Sequence, residues 1–128
     1  MANEEATGGA SAPGTQPWAA VQWPLVAGRT ALVVIDPQND FLHDEGWYAA
    51  SGVDVAHMQA TIGPIRDLVA AAHERQVPGI WTRHGFRDGR DAGVFYHLRP
   101  FLKEGGLRQG SWGYEVLDGL GARPDDWY

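Results

Sequence analysis

Apolar residues run without alternation at 31–35, Ala-Leu-Val-Val-Ile, and the run stops at a carboxylate, Asp36. Such a run predicts a strand covered on both faces, as in a parallel sheet with helices on either side. Pro37 helps to end it, because proline lacks a backbone donor and biases the preceding residue towards an extended conformation. From 54 to 76 the pattern changes: Val55, Met58, Ile62, Ile65, Val69 and Ala72 recur at three- and four-residue spacing. That period predicts a helix capped by Asp54, with its apolar stripe on the sheet. Gly63-Pro64 interrupts it and predicts a kink or a restart. Pro78-Gly79 closes the helix, and Ile80-Trp81-Thr82 predicts a second strand. Strand, helix and strand make a βαβ unit, whose crossover is right-handed.

The flanks carry weaker patterns. Residues 1–17 are small and polar with Glu4 and Glu5, which predicts a mobile tail. Trp18, Val21, Trp23 and Leu25 then read as an extended arm, so that 1–29 lies outside the domain. His43 to Tyr48 reads as a loop whose carboxylates, imidazole and aromatic rings line a cleft, and His57 and His73 have no evident partner. Phe86 to Gly93 reads as an exposed loop, and 94–110 as irregular with a short helix at most, broken by Pro100 and Gly105-Gly106. A short helix capped by Ser111 follows, and 123–128 reads as the turn before a third strand.

In open parallel sheets ligands bind outside the carboxyl ends of the strands, where Asp36 falls. From the residues alone Asp36 is equally a turn or helix cap. Composition narrows the choice of partner. The 128 residues suffice for one globular domain, with 44% apolar and 20% charged residues. A net charge of −6 argues against nucleic acid and anionic membrane surfaces. No apolar stretch reaches membrane-spanning length and no signal segment is evident, so a cytoplasmic protein with a small-molecule substrate is expected. There is no Cys, hence no disulfide, thiolate metal site or thiol nucleophile.

Val-Val-Ile-Asp-Pro-Gln-Asn-Asp-Phe at 33–41 resembles the opening motif of the isochorismatase-like cysteine hydrolases. Gly79 to Gly85 resembles that family's second strand, and 110–126 its approach to the third, with the look of ureidoacrylate amidohydrolases and biuret hydrolases. The resemblance implies an α/β fold, the N-terminal part of a Rossmann-like three-layer αβα parallel-sheet domain over 30–128, incomplete at its C-terminus. It implies that Asp36 is the general base of an Asp–Lys–Cys triad that cleaves an amide or ureido bond. Phe41 would supply an apolar wall, and His84 would hydrogen-bond a substrate carbonyl or ureido group. Complete members commonly self-associate, which makes a homo-oligomer the implied assembly.

Two triad members have no counterpart. The family's Lys follows the start of the third strand, where this chain ends at Tyr128, and the only Lys here is Lys103 in a Gly-flanked segment. The expectation is therefore an N-terminal fragment, inactive alone, with unpaired strand edges; the alternative is a degenerate, non-catalytic domain that binds a small ligand or a partner. Asp36, Asp40, His43 and Asp44 are metal-donor types, but the Asp-x-His arrangement of nicotinamidases is missing. Solvated loop charges are the expectation, with no metal and no cofactor. A haloacid-dehalogenase-type phosphatase would need an acid at position 38, which is Gln, and a dinucleotide site would need glycines where 36–40 offers carboxylates.

Overall fold

Two strands, β1 (Leu32–Val34) and β2 (Gly79–Trp81), run parallel with Leu32 opposite Gly79, Val33 opposite Ile80 and Val34 opposite Trp81. They belong to a computed structural model that describes Val26 and residues 28–128. The expected tail and the arm with Trp18, Val21, Trp23 and Leu25 lie outside the described residues. Between the strands come α1 (Asn39–Leu42), α2 (Trp47–Ala50), α3 (Ala56–Gln59) and α4 (Ile62–Glu74). The expected long helix is thus two pieces. The first is preceded by Val55 at its N-cap, one residue after the expected Asp54, whose carboxylate still accepts the Ala56 N–H at 3.0 Å. Pro64 sits in the first turn of α4, where the N–H it lacks would have no helical acceptor.

Alternate strand residues point to opposite faces, so Val34 and Trp81 share one face and Val33 and Ile80 the other. The first face is the core: Val34, Trp81, Val69, Leu42 and Leu120 are buried together, with Met58, Ile62 and Ile65 packed against them. The other face is uncovered among the described residues, where the run at 31–35 leads one to expect cover on both sides. Val33 is 50% and Ile35 74% exposed, because α4 covers only the Val34 face among the described residues. Among the described residues the edge is open as well. The Leu32 N–H donates to Pro78 O and the Thr82 N–H to Val34 O, which turns the alternating backbone groups of Val33 away from β2. A cavity of about 610 Å³ lies between the start of β1 and α4, lined largely by Ala31, Leu32, Leu68, Ala71, Ala72 and Val77.

At the far edge of β2 Trp127 makes an isolated parallel bridge with Ile80, in the segment expected as the turn before a third strand. The Trp81 N–H donates to Trp127 O at 2.8 Å and the Trp127 N–H to Gly79 O at 3.0 Å, a parallel pairing. Asp126 fastens it, accepting from the N–H groups of Gly79 and Arg123, from Trp81 Nε1 and from His73 Nε2 at 2.9–3.0 Å. Burial pushes this carboxyl up, but the hydrogen bonds outweigh it and hold it at about 2, below the ordinary 3.8. His73 therefore has a partner that its place in the sequence did not suggest.

A second core forms where the sequence predicted exposure. Phe86 and Ala92 are buried with Leu102 and Leu107, which corrects the exposed loop of 86–93. The Phe86 N–H donates to Leu107 O at 2.7 Å and the Gln109 N–H to Phe86 O at 2.9 Å, a parallel bridge to Arg108 that carries the ring inward. Around it lie α5 (Phe95–Leu98) and two short 3-10 turns, Pro100–Lys103 and Trp112–Tyr114. The second turn is capped by the Ser111 hydroxyl as expected. The segment 43–48 is also corrected: its rings pack instead of lining a cleft. Trp47 lies against Gly105-Gly106, where a Cβ on Gly105 would meet the indole at 2.6 Å. Its Nε1 donates to Phe101 O at 3.1 Å.

Candidate active site

Asp36 follows β1 directly, with a backbone φ of 52°. A non-glycine residue there carries strain of about 1–2 kcal/mol, least for Asp and Asn, and such positions cluster at functional sites. Thr82, just past the end of β2, holds it in place. Its hydroxyl accepts the Asp36 N–H at 3.1 Å and donates to Asp36 Oδ1 at 2.7 Å. Among the described residues Oδ2 has no hydrogen-bond partner.

The next residues fasten the loops around that carboxylate. Gln38 is fully buried: its Nε2 donates to His84 O at 3.0 Å and Tyr114 O at 2.8 Å, and its Oε1 accepts the His84 N–H at 2.7 Å. The Asn39 Nδ2 donates to Trp112 O at 2.8 Å. Asp40, expected as a solvated loop charge, is buried, and it accepts the Trp47 N–H on Oδ1 at 3.0 Å and the Leu107 N–H on Oδ2 at 2.5 Å. Both of its oxygens are thus committed to backbone. Asp44 accepts from Gln59 and His43 Nδ1 accepts the Glu45 N–H. No group of three His, Cys, Asp or Glu among the described residues is placed to hold a metal ion.

Asp36 and Phe41 come together, on a cavity of about 250 Å³ whose other walls include Ile35, Pro37, Met58 and Ile65. His84 does not line that cavity. Its backbone is clamped by Gln38, and its ring lies edge-on to Phe86 at 5.2 Å and tilted on Phe95 at 5.0 Å. Arg83 turns elsewhere, pairing with Glu115 at 2.5 Å with its guanidinium over the Tyr114 ring at 4.8 Å. Lys103 is exposed, at the end of a 3-10 turn. A carboxylate with one oxygen anchored and one free, beside a largely apolar cavity, is equipped to take up a proton from a thiol or a water.

Sequence reasoning missed Thr82 and Arg108. A hydroxyl at the end of β2, across from the end of β1, was a readable signal for Thr82. For Arg108 nothing local in the sequence is a signal.

The Isochorismatase domain family matches residues 30–128. The ureidoacrylate amidohydrolase of Enterobacter sp. (strain 638) is 31% identical over 112 residues, covering 77% of this chain and 49% of that protein. The ureidoacrylate amidohydrolase of Rhizobium rhizogenes is 31% identical over 116 residues, with 80% and 47% covered. A crystal structure of a cysteine hydrolase from Pseudomonas syringae pv. phaseolicola superposes with a TM-score of 0.69 at 32% identity, over 84% of this chain and 48% of that one. The chain spans about half the length of the curated relatives it matches.

Proposed function

The chain belongs to the isochorismatase domain family, and on that premise we propose that it supplies the general base, Asp36, of a cysteine hydrolase that cleaves a C–N amide or ureido bond. The observation that carries this reading is the setting of Asp36: left-handed backbone at the carboxyl end of β1, Oδ1 anchored by Thr82, and a cavity shared with Phe41. In the proposed reaction Asp36 takes the thiol proton, the thiolate attacks the substrate carbonyl, and the proton passes from Asp36 to the nitrogen as the C–N bond breaks and the amine leaves. Asp36, again ionised, then takes a proton from the water that attacks the thioester and releases the acid and the thiol. The resemblance puts His84 on the scissile carbonyl or ureido group, but its ring, packed on Phe86 and Phe95 outside the Asp36 cavity, would meet the substrate away from the scissile bond.

These 128 residues contain no Cys. The thiol and the triad Lys therefore belong, in this reading, to polypeptide that completes the three-layer domain on the open side of β1 and beyond Trp127. The whole would be a cytoplasmic enzyme that acts on a small molecule, needs no metal or cofactor, and self-associates. A non-catalytic ligand- or partner-binding domain is the competing reading, favoured by the missing thiol.

Joining residues 30–128 to the second half of the Enterobacter ureidoacrylate amidohydrolase tests the assignment. Hydrolysis of a ureido acid by the chimera should fall by about 10²–10⁴-fold in Asp36→Asn, with the melting temperature retained. A folded Asp36→Asn chimera of undiminished activity would remove Asp36 from the mechanism.

A further inference from the structure

We infer that Arg108 and His84, beside the Phe86 ring, form a subsite for the carboxylate of a small amide or ureido acid. The inference rests on the hydrolase reading and adds a charge to its substrate. Phe86 and Arg108 are bridge partners and so project to the same side, and His84, two residues before Phe86 in an extended segment, projects there too. The contacts agree: the Arg108 guanidinium carbon lies 6.0 Å from the centre of the Phe86 ring and 5.8 Å from that of Tyr96, and the His84 ring centre lies 5.2 Å from that of Phe86.

Both side chains carry a buried nitrogen with no hydrogen-bond partner among the described residues, Nη1 of Arg108 and Nε2 of His84. Arg108 spends Nη2 on Leu102 O at 2.7 Å. No carboxylate among the described residues pairs with it. A guanidinium cannot shed its charge, and withdrawing it from water is costly unless an anion or acceptors meet it. Two aromatic faces offset part of that cost. A carboxylate matches the planar fork, and the aromatic walls suit a flat, conjugated acid.

Position fits the substrate class. Thr82, which holds Asp36, precedes His84 by two residues, about 7 Å along an extended chain. A ligand with a few atoms between its scissile carbonyl and its carboxylate spans that interval. The cover is one side chain deep, because Phe95 over the imidazole is 41% exposed and belongs to the four-residue α5.

Isothermal titration of the full chain with 3-ureidopropionate, its uncharged primary amide and propionate tests the subsite. The acid should bind at least tenfold more tightly than the amide. Arg108→Gln should erase that difference while leaving amide binding unchanged, Arg108→Lys should retain part of it, and His84→Phe, which keeps the ring stacking, should weaken acid binding several-fold. Equal binding of acid and amide, a preference that survives Arg108→Gln, or no binding of any probe would overturn the subsite. With acid and amide equal but both above propionate, the ureido reading would survive that loss. Arg108-dependent binding of propionate as tight as that of 3-ureidopropionate would instead uphold the subsite and count against the ureido reading.

Discussion

Thr82 grips Asp36 twice, accepting its N–H at 3.1 Å and donating to its Oδ1 at 2.7 Å. One hydroxyl thereby fixes both the left-handed backbone and the direction of the carboxylate. The two residues are separated by 46 positions, and the parallel register of β1 and β2 is what brings them together. Thr82→Val, similar in shape but without the hydroxyl, should destabilise the chain by about 1–3 kcal/mol, since it leaves a strained residue without its anchor. Thr82→Ser should recover most of the loss. Urea denaturation of the three proteins checks this; a Val variant as stable as the parent would mean that the left-handed turn holds itself.

Asp40 is the corresponding anchor for the second core. Its two oxygens accept the backbone N–H groups of Trp47 and Leu107, and Gly113 approaches so closely that a Cβ there would collide with the carboxylate. Asp40→Asn replaces one acceptor with a donor aimed at a donor and should cost about 2–3 kcal/mol. Gly113→Ala should be destabilising for a different reason, steric overlap. Near-ultraviolet circular dichroism and denaturant midpoints measure both, and the Asn variant should perturb the Trp47 environment.

Acid should weaken the chain through Asp126. Its carboxyl is lowered from 3.8 to about 2 in the folded state, so its contribution is present above the unfolded value and fades as pH falls through the folded one. The size is about 2 kcal/mol. Urea midpoints of the parent should therefore drop between pH 4 and 2 more steeply than those of Asp126→Asn. Parallel pH profiles for the two proteins would show that the four hydrogen bonds do not favour the ionised form.

What the sequence made legible was local. The run at 31–35, the three- and four-residue spacing of 55–72 and the breaker at Gly63-Pro64 each act over a few residues, and β1, α3, α4 and β2 follow from them. The place of Asp36 directly after β1 followed too. What stayed hidden depends on partners far along the chain. Asp40 reads as one more loop carboxylate until Leu107, 67 positions away, donates to it. Phe86 sits beside Arg87, Asp88 and Arg90 and reads as surface until Leu107 and Gln109 pair with its backbone. His73 acquires its partner from Asp126, 53 positions on. Val33 and Ile35 stand in the same apolar run as buried Val34, and the run alone does not tell which face is covered among the described residues.

The central claim, that Asp36 serves a thiol outside these 128 residues, is tested most directly by the intact mass of the native protein before and after iodoacetamide. The account predicts a mass well above the 14.0 kDa of this chain and an added carbamidomethyl group that abolishes hydrolysis. A native protein of 14.0 kDa that takes up no label would contradict it and leave a ligand- or partner-binding domain in its place.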